Sequence, residues 1–143
     1  MNVRKILVVD DDQNIAELLA YVLRREGHTV HLASSVESAL LTLTQLRVDV
    51  VLTDYMMPVS DGAELIRTMR GMPGLATIPV LVLSAAPEEI VRIHCRDMAK
   101  FLRKPFQVED LLGSVGSFLG RSAPPAAPDQ PLGGGAAPPA SLL

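Results

Sequence analysis

Ile6-Leu7-Val8-Val9-Asp10-Asp11-Asp12 decides how this chain folds. Four consecutive aliphatic residues suit a strand buried on both faces, as in a parallel sheet covered by helices. The run stops abruptly at three aspartates, so the strand has an acidic carboxyl end. A helix is predicted next, because Ile15, Leu18, Leu19, Val22 and Leu23 recur at helical spacing. Gly27 suits its C-terminal cap, and Asp12 is read as its N-cap rather than as a metal ligand.

The same alternation continues to about residue 120. Thr29 to Ala33 alternates like a half-buried strand. Ser34 and Glu37 predict a capping box for a helix that buries Val36, Ala39, Leu40 and Leu43. Val48 to Thr53 is a third strand, and Leu65, Ile66 and Met69 mark a third helix. Pro79 opens a fourth strand, Val80 to Leu83. Pro87 suits the first turn of a fourth helix carrying Ile90, Val91, Ile93 and His94. Phe101 and Leu102 form a short fifth strand, and Val108, Leu111, Leu112, Val115 and Leu119 mark the last helix. Such alternation implies parallel strands joined by right-handed helical crossovers. The expected fold is therefore α/β, a doubly wound five-stranded parallel sheet of order 2-1-3-4-5, flavodoxin-like.

Composition sets the outer limits. The 143 residues are enough for one ordinary domain and its core. With 48% apolar residues but only 3% aromatic ones and no Trp, that core must be aliphatic. A net charge of −3 argues against non-specific nucleic-acid binding. Cys95 is the sole cysteine, so no intramolecular disulfide can form, which fits a reducing cytoplasm. The Met1 to Val9 stretch is too short and too abruptly acidic for a signal peptide. No segment approaches the roughly 20 apolar residues of a membrane helix, so no membrane partner is expected. Residues 1–120 are expected to form one domain. Residues 121–143, rich in Pro, Ala and Gly, are expected to be a flexible tail.

Polar residues gather at one edge of that sheet. Asp10, Asp11 and Asp12 follow the first strand, Asp54 the third, Ser84 the fourth, and Lys104, before Pro105, the fifth. Ligands bind at the carboxyl ends of such strands, next to the switch point between strands 1 and 3. Asp10, Asp11 and Asp54 should converge there. Clustered carboxylates repel one another, and a hard divalent cation such as Mg²⁺ relieves this. A carboxylate beside the cation can attack a phosphoryl group. Lys104 can supply positive charge and Ser84 a hydroxyl to the transferring group.

These motifs together resemble the receiver domains of two-component response regulators. The resemblance rests on Val8-Val9-Asp10-Asp11-Asp12, Asp54-Tyr55-Met56-Met57-Pro58 with Asp61-Gly62, Ser84-Ala85, and Lys104-Pro105-Phe106. It runs from about residue 4 to 120, with four motifs at four successive strand ends. It implies that Asp54 is the phospho-acceptor, with Lys104 and Ser84 assisting. Asp11 is implied as a direct Mg²⁺ ligand, Asp10 as an acidic partner acting through water, and Met56 as a backbone-carbonyl ligand. Ser84 and Phe101 are the implied switch pair. The implied partners are a histidine kinase or phosphotransfer protein and a downstream protein target, with phosphorylation-dependent homodimerisation as a further option. The chain would then be a signalling phospho-acceptor and not an enzyme.

Two departures and two alternatives stand beside this. Asp97-Met98-Ala99-Lys100 precedes Phe101 where relatives often carry Gly-Ala, so Asp97 is expected to hold a left-handed backbone. The stretch from Ser84 to Phe101 is about two residues shorter than in many relatives, so the fourth helix is expected to be short or irregular. One alternative is a receiver-like interaction module that is never phosphorylated. The other is a small phosphatase of the haloacid-dehalogenase type, which the Asp-x-Asp of residues 10–12 allows but which leaves Asp54 to Pro58 unexplained. The chain can also be the receiver part of a longer protein, with residues 122–143 as linker.

Overall fold

The computed structural model of the chain describes residues 4–57, 59, 61–98 and 100–119. Strands and helices alternate: β1 Lys5–Val9, α1 Gln13–Arg25, β2 Thr29–Ala33, α2 Val36–Gln45, β3 Val50–Asp54, α3 Gly62–Arg70, β4 Val80–Ser84, α4 Glu88–His94, β5 Lys100–Arg103 and α5 Val108–Leu119. All pairings are parallel, in the order β2-β1-β3-β4-β5. This is the expected topology. The tail expected over 121–143 lies outside the described residues.

The pleat divides each strand between two cores, because successive side chains point to opposite faces. Leu7, Val9, Val51, Val80 and Val82 meet Ala39 and Leu43 of α2 and Leu65, Ile66 and Met69 of α3. Their alternates Ile6, Val8, Val50, Leu52, Leu81 and Leu83 meet Leu19 and Leu23 of α1 and Leu111 and Val115 of α5. Both faces of the sheet are therefore covered, which is why the strands read as unbroken aliphatic runs. Tyr55 and Phe106 are the buried aromatics, one in each core, and Phe101 packs at the margin of the first. The Tyr55 ring lies 6.4 Å, centroid to centroid, from the ring of His94 on α4.

Local signals set the helix ends. The Asp12 carboxylate accepts the N–H groups of Asn14 and Ile15 at 3.0 and 3.3 Å, as its N-cap reading required. Gly27 follows α1 with φ +97°, a left-handed turn that glycine adopts at little cost. The capping box of α2 sits one residue later than expected. Ser35 is the N-cap, and its partner is Ser38 rather than Glu37. The Ser38 hydroxyl is short enough to fold back onto the Ser35 N–H at 3.2 Å, which leaves Glu37 in solvent.

The stretch before β5 also differs from expectation. Asp97 is not left-handed; the sole non-glycine residue with positive φ among those described is Val59. The loop is held from outside instead. The Arg70 guanidinium donates to the carbonyls of Ala76 and Ile78 at 3.0 and 2.8 Å, and to that of Asp97 at 2.8 Å. One side chain thus ties the end of α3 to the two loops that lead into β4 and β5. Helix α4 is short, as expected, with seven residues of which only Val91 is buried. Ile90 and Ile93 remain exposed on it.

His28, between α1 and β2, has a buried Nδ1 without a hydrogen-bond partner. Burial holds its imidazolium pKa below the ordinary 6.5, with Arg4 adding to the effect and Glu26 opposing it. A depressed pKa favours the neutral ring in the folded state. Its contribution to stability is therefore present above about pH 6.5 and is lost as pH falls through the folded-state value. His28→Gln should flatten this part of the stability profile in urea unfolding between pH 5 and about 7; an unchanged slope would show that His28 does not carry it.

Candidate functional site

The site forms where β1, β3, β4 and β5 end. Asp10 and Asp11 leave β1, Asp54 ends β3, Ser84 ends β4, and Lys104 follows β5. The parallel register aligns these ends: Asp54 pairs with Leu83, and Ser84 with Arg103. The Lys104 N–H donates to the Ser84 carbonyl at 2.9 Å, so β5 delivers Lys104 beside β4.

The three carboxylates expected to meet do meet. Asp10, Asp11 and Asp54 each place one oxygen within 4.8 Å of the other two. Lys104 Nζ donates to Asp54 Oδ1 at 3.0 Å, in an ion pair whose side chains are 20% and 13% exposed. Burial raises the Asp54 pKa above its ordinary value, with the Asp11 charge adding and the Lys104 contact opposing. Burial also raises that of Asp10, with the charges of Asp54 and Asp11 adding; the Asp12 N–H and the Lys104 charge oppose. Asp10 Oδ1 accepts the Asp12 N–H at 2.9 Å, while its Oδ2 is buried without a protein partner. Asp11 stays exposed at the mouth.

This donor set fits a hard divalent cation. All its side-chain ligands are oxygens, two of them are disfavoured as bare anions, and one buried oxygen has no partner. Mg²⁺ uses few protein ligands and keeps its waters, which suits a shallow site open at Asp11.

The remaining predicted residues lie as follows. Ser84 is buried, and its Oγ accepts the Ala86 N–H at 3.0 Å, so in this conformation the hydroxyl oxygen holds the turn into α4. Phe101 is half-buried on β5, beside Val82 of β4. Met56 lies two residues past Asp54 with its side chain in solvent.

Gly62 is a positional residue that periodicity could not reveal. Its N–H donates to the Tyr55 carbonyl at 3.0 Å. A Cβ there would stand 2.9 Å from the Asp54 carbonyl oxygen and 3.3 Å from Tyr55 Cα. The first turn of α3 therefore rests directly on the backbone that presents Asp54. The available signal was the Asp61-Gly62 pair, in which Asp61 caps α3 through the Glu64 N–H at 3.0 Å.

The response regulator receiver domain family matches residues 6–116 of this sequence. The chain belongs to that family. Response regulator MprA of Mycobacterium sp. strain KMS is 37% identical over 129 residues, which make up 89% of this chain and 55% of MprA. The receiver chain thus spans about half the length of the curated relatives it matches. Among solved structures, a response regulator from Chloroflexus aurantiacus aligns with TM-score 0.78 at 33% identity, over 83% of this chain and 99% of its own. TrrA from Thermotoga maritima, solved with Mg²⁺ and BeF, aligns with TM-score 0.75 at 28% identity, over 82% of this chain and all of its own. The receiver match covers all four motifs, whereas the haloacid-dehalogenase reading accounted for one.

Two measurements test this geometry. Gly62→Ala should lower stability by about 1–3 kcal/mol in urea unfolding, since backbone must shift to admit the methyl group. Mg²⁺ at ten times its dissociation constant should add about 1.4 kcal/mol to the wild type and much less to Asp11→Asn; an equal gain in both would place the ion elsewhere.

Proposed function

We propose that this receiver is a phospho-accepting switch in which Asp54 takes the phosphoryl group. The observation that carries this is Lys104 Nζ at 3.0 Å from Asp54 Oδ1, beside the carboxylates of Asp10 and Asp11. The donor is a phosphohistidine on a histidine kinase or phosphotransfer protein. An Asp54 carboxylate oxygen forms the new P–O bond as the P–N bond of the donor breaks. The electron pair stays on the imidazole nitrogen, which takes up a proton. Asp10, Asp11 and Asp54, with the Met56 carbonyl, would hold Mg²⁺. When bound, the ion offsets negative charge on the carboxylates and on the phosphoryl oxygens.

The protein's own groups do the rest. Lys104 can follow the charge from Asp54 onto the phosphoryl group. Ser84 can turn its hydroxyl from the α4 turn toward a phosphoryl oxygen. Phe101, half-buried and at the core margin, has room to turn inward behind it. These movements bias the face formed by α4, β5 and α5, where Ile90 and Ile93 are exposed for a partner protein. No turnover of a separate substrate is required, so the chain acts as a signalling acceptor and not as an enzyme. Among the described residues no helix is long and apolar enough to cross a membrane. We place the switch in the cytoplasm, where the buried Cys95 thiol would stay reduced. The charge argument against nucleic acid applies to these 143 residues alone.

Acetyl phosphate with Mg²⁺ should add one phosphoryl group to the intact mass of the wild type and none to Asp54→Asn. A folded wild type that takes up no phosphoryl group under saturating donor would instead support the interaction module that is never phosphorylated. Loss of the adduct in Asp10→Asn with retention in Asp54→Asn would move the nucleophile to Asp10.

A further inference from the structure

A groove of about 460 Å³ opens between the first turns of α2 and α3, on the side of the acceptor pocket away from β4 and β5. Val36, Leu40 and Val59 line it, and Asp11, Glu37 and Glu64 bring three carboxylates to it. Among the described residues no Lys or Arg lines it. Asp11 belongs both to this groove and to the carboxylate cluster, so the groove is continuous with the acceptor site.

Helix dipoles give Glu37 and Glu64 a local reason to occupy first turns. They give no reason for Val59. This residue has φ +72°, a conformation that a β-branched side chain adopts only with strain. Its side chain is fully exposed, so no burial offsets that strain. A strained residue that holds an apolar group in water beside an acidic rim is suited to a partner that covers it. The cover must bring an aliphatic side chain to Val36, Leu40 and Val59, and cations to Glu37 and Glu64, while Asp11 faces the metal site.

We infer that this groove docks a basic, aliphatic segment of the phosphodonor protein, a Leu- or Ile-bearing stretch flanked by Lys or Arg. The assignment to the donor rests on the phospho-acceptor reading, because continuity with the acceptor pocket is what favours the donor. The acidic rim attracts the segment over a distance, and the aliphatic floor sets its register. The contact lies on the opposite side of the pocket from α4, β5 and α5, so donor and target need not compete for one surface.

The test uses the full chain, saturated with Mg²⁺ so that Asp11 is engaged, and the synthetic peptide acetyl-KLRLK-amide as probe. Saturable amide shifts at Val36, Leu40 and Val59 are expected in a titration followed by NMR. Glu37→Gln combined with Glu64→Gln should weaken the peptide about tenfold, since two near-surface attractions are lost. Val59→Gly should weaken it too, while its backbone relaxes and the fold persists. A peptide with Glu in place of each cation should not bind. Equal binding of the two peptides, shifts centred on Ile90 and Ile93, or unaltered affinity in the Glu variants would each overturn the inference. Acetyl phosphate labelling is read in parallel. Labelling of Asp54 without peptide binding removes the groove and leaves the switch intact. Peptide binding without labelling removes the donor as its occupant.

Discussion

Two carboxylates taken out of water at the end of a parallel sheet are the condition that the rest of the molecule meets. Asp10 and Asp54 are both largely buried, and burial works against the charge of each. Among the described residues, Lys104 is the cation in contact with the pair, through Asp54. Two anions in such a place are costly, Lys104 offsets the cost in part, and further positive charge relieves the rest. A divalent cation would meet that need, and under the proposed function a phosphoryl group on Asp54 would add negative charge for the cation and Lys104 to hold, a redistribution that can be transmitted. The sheet order makes this possible. It puts β1 beside β3 at the switch point and carries Lys104 in on the last strand, fifty residues beyond Asp54 in sequence.

Most of that arrangement was legible in the sequence, for a physical reason. A strand buried on both faces is mostly aliphatic, so Ile6 to Val9 and Val80 to Leu83 announce themselves, and charged residues gather where such strands end. Asp10, Asp54, Ser84 and Lys104 are conspicuous because they interrupt such runs. Topology rules then fix which ends are neighbours. What stayed hidden depends on backbone detail. Ser35 and Ser38 replaced Ser34 and Glu37 because hydroxyl reach, not residue type, selects the capping partner. Asp97 stays out of the left-handed region, and its carbonyl is held by Arg70, 27 residues away, a contact that no local pattern announces. Val59 took that region instead, and nothing in its chemistry signals it.

Gly62 and Arg70 show two ways in which a helix can serve a site that it does not enter. Helix α3 begins with a glycine pressed against the backbone of Asp54 and ends with an arginine that grips the loops into β4 and β5. Its two ends therefore reference β3 and the loops into β4 and β5 to one rigid rod. A displacement of the loop before β5 must either break the Arg70 contact or move α3 with it.

The aliphatic cores have an optical consequence. The protein has no Trp and two Tyr, of which Tyr21 is exposed on α1. Tyr55 is buried immediately after Asp54, with its ring near His94 on the short α4. It thus links the position after Asp54 to α4, the helix that the proposed function assigns to the output face. The near-ultraviolet absorption and emission of the native chain therefore come chiefly from two phenol rings, one of them at the junction that the proposed switch would alter. The buried ring is thus an intrinsic spectroscopic probe for the proposed change of state.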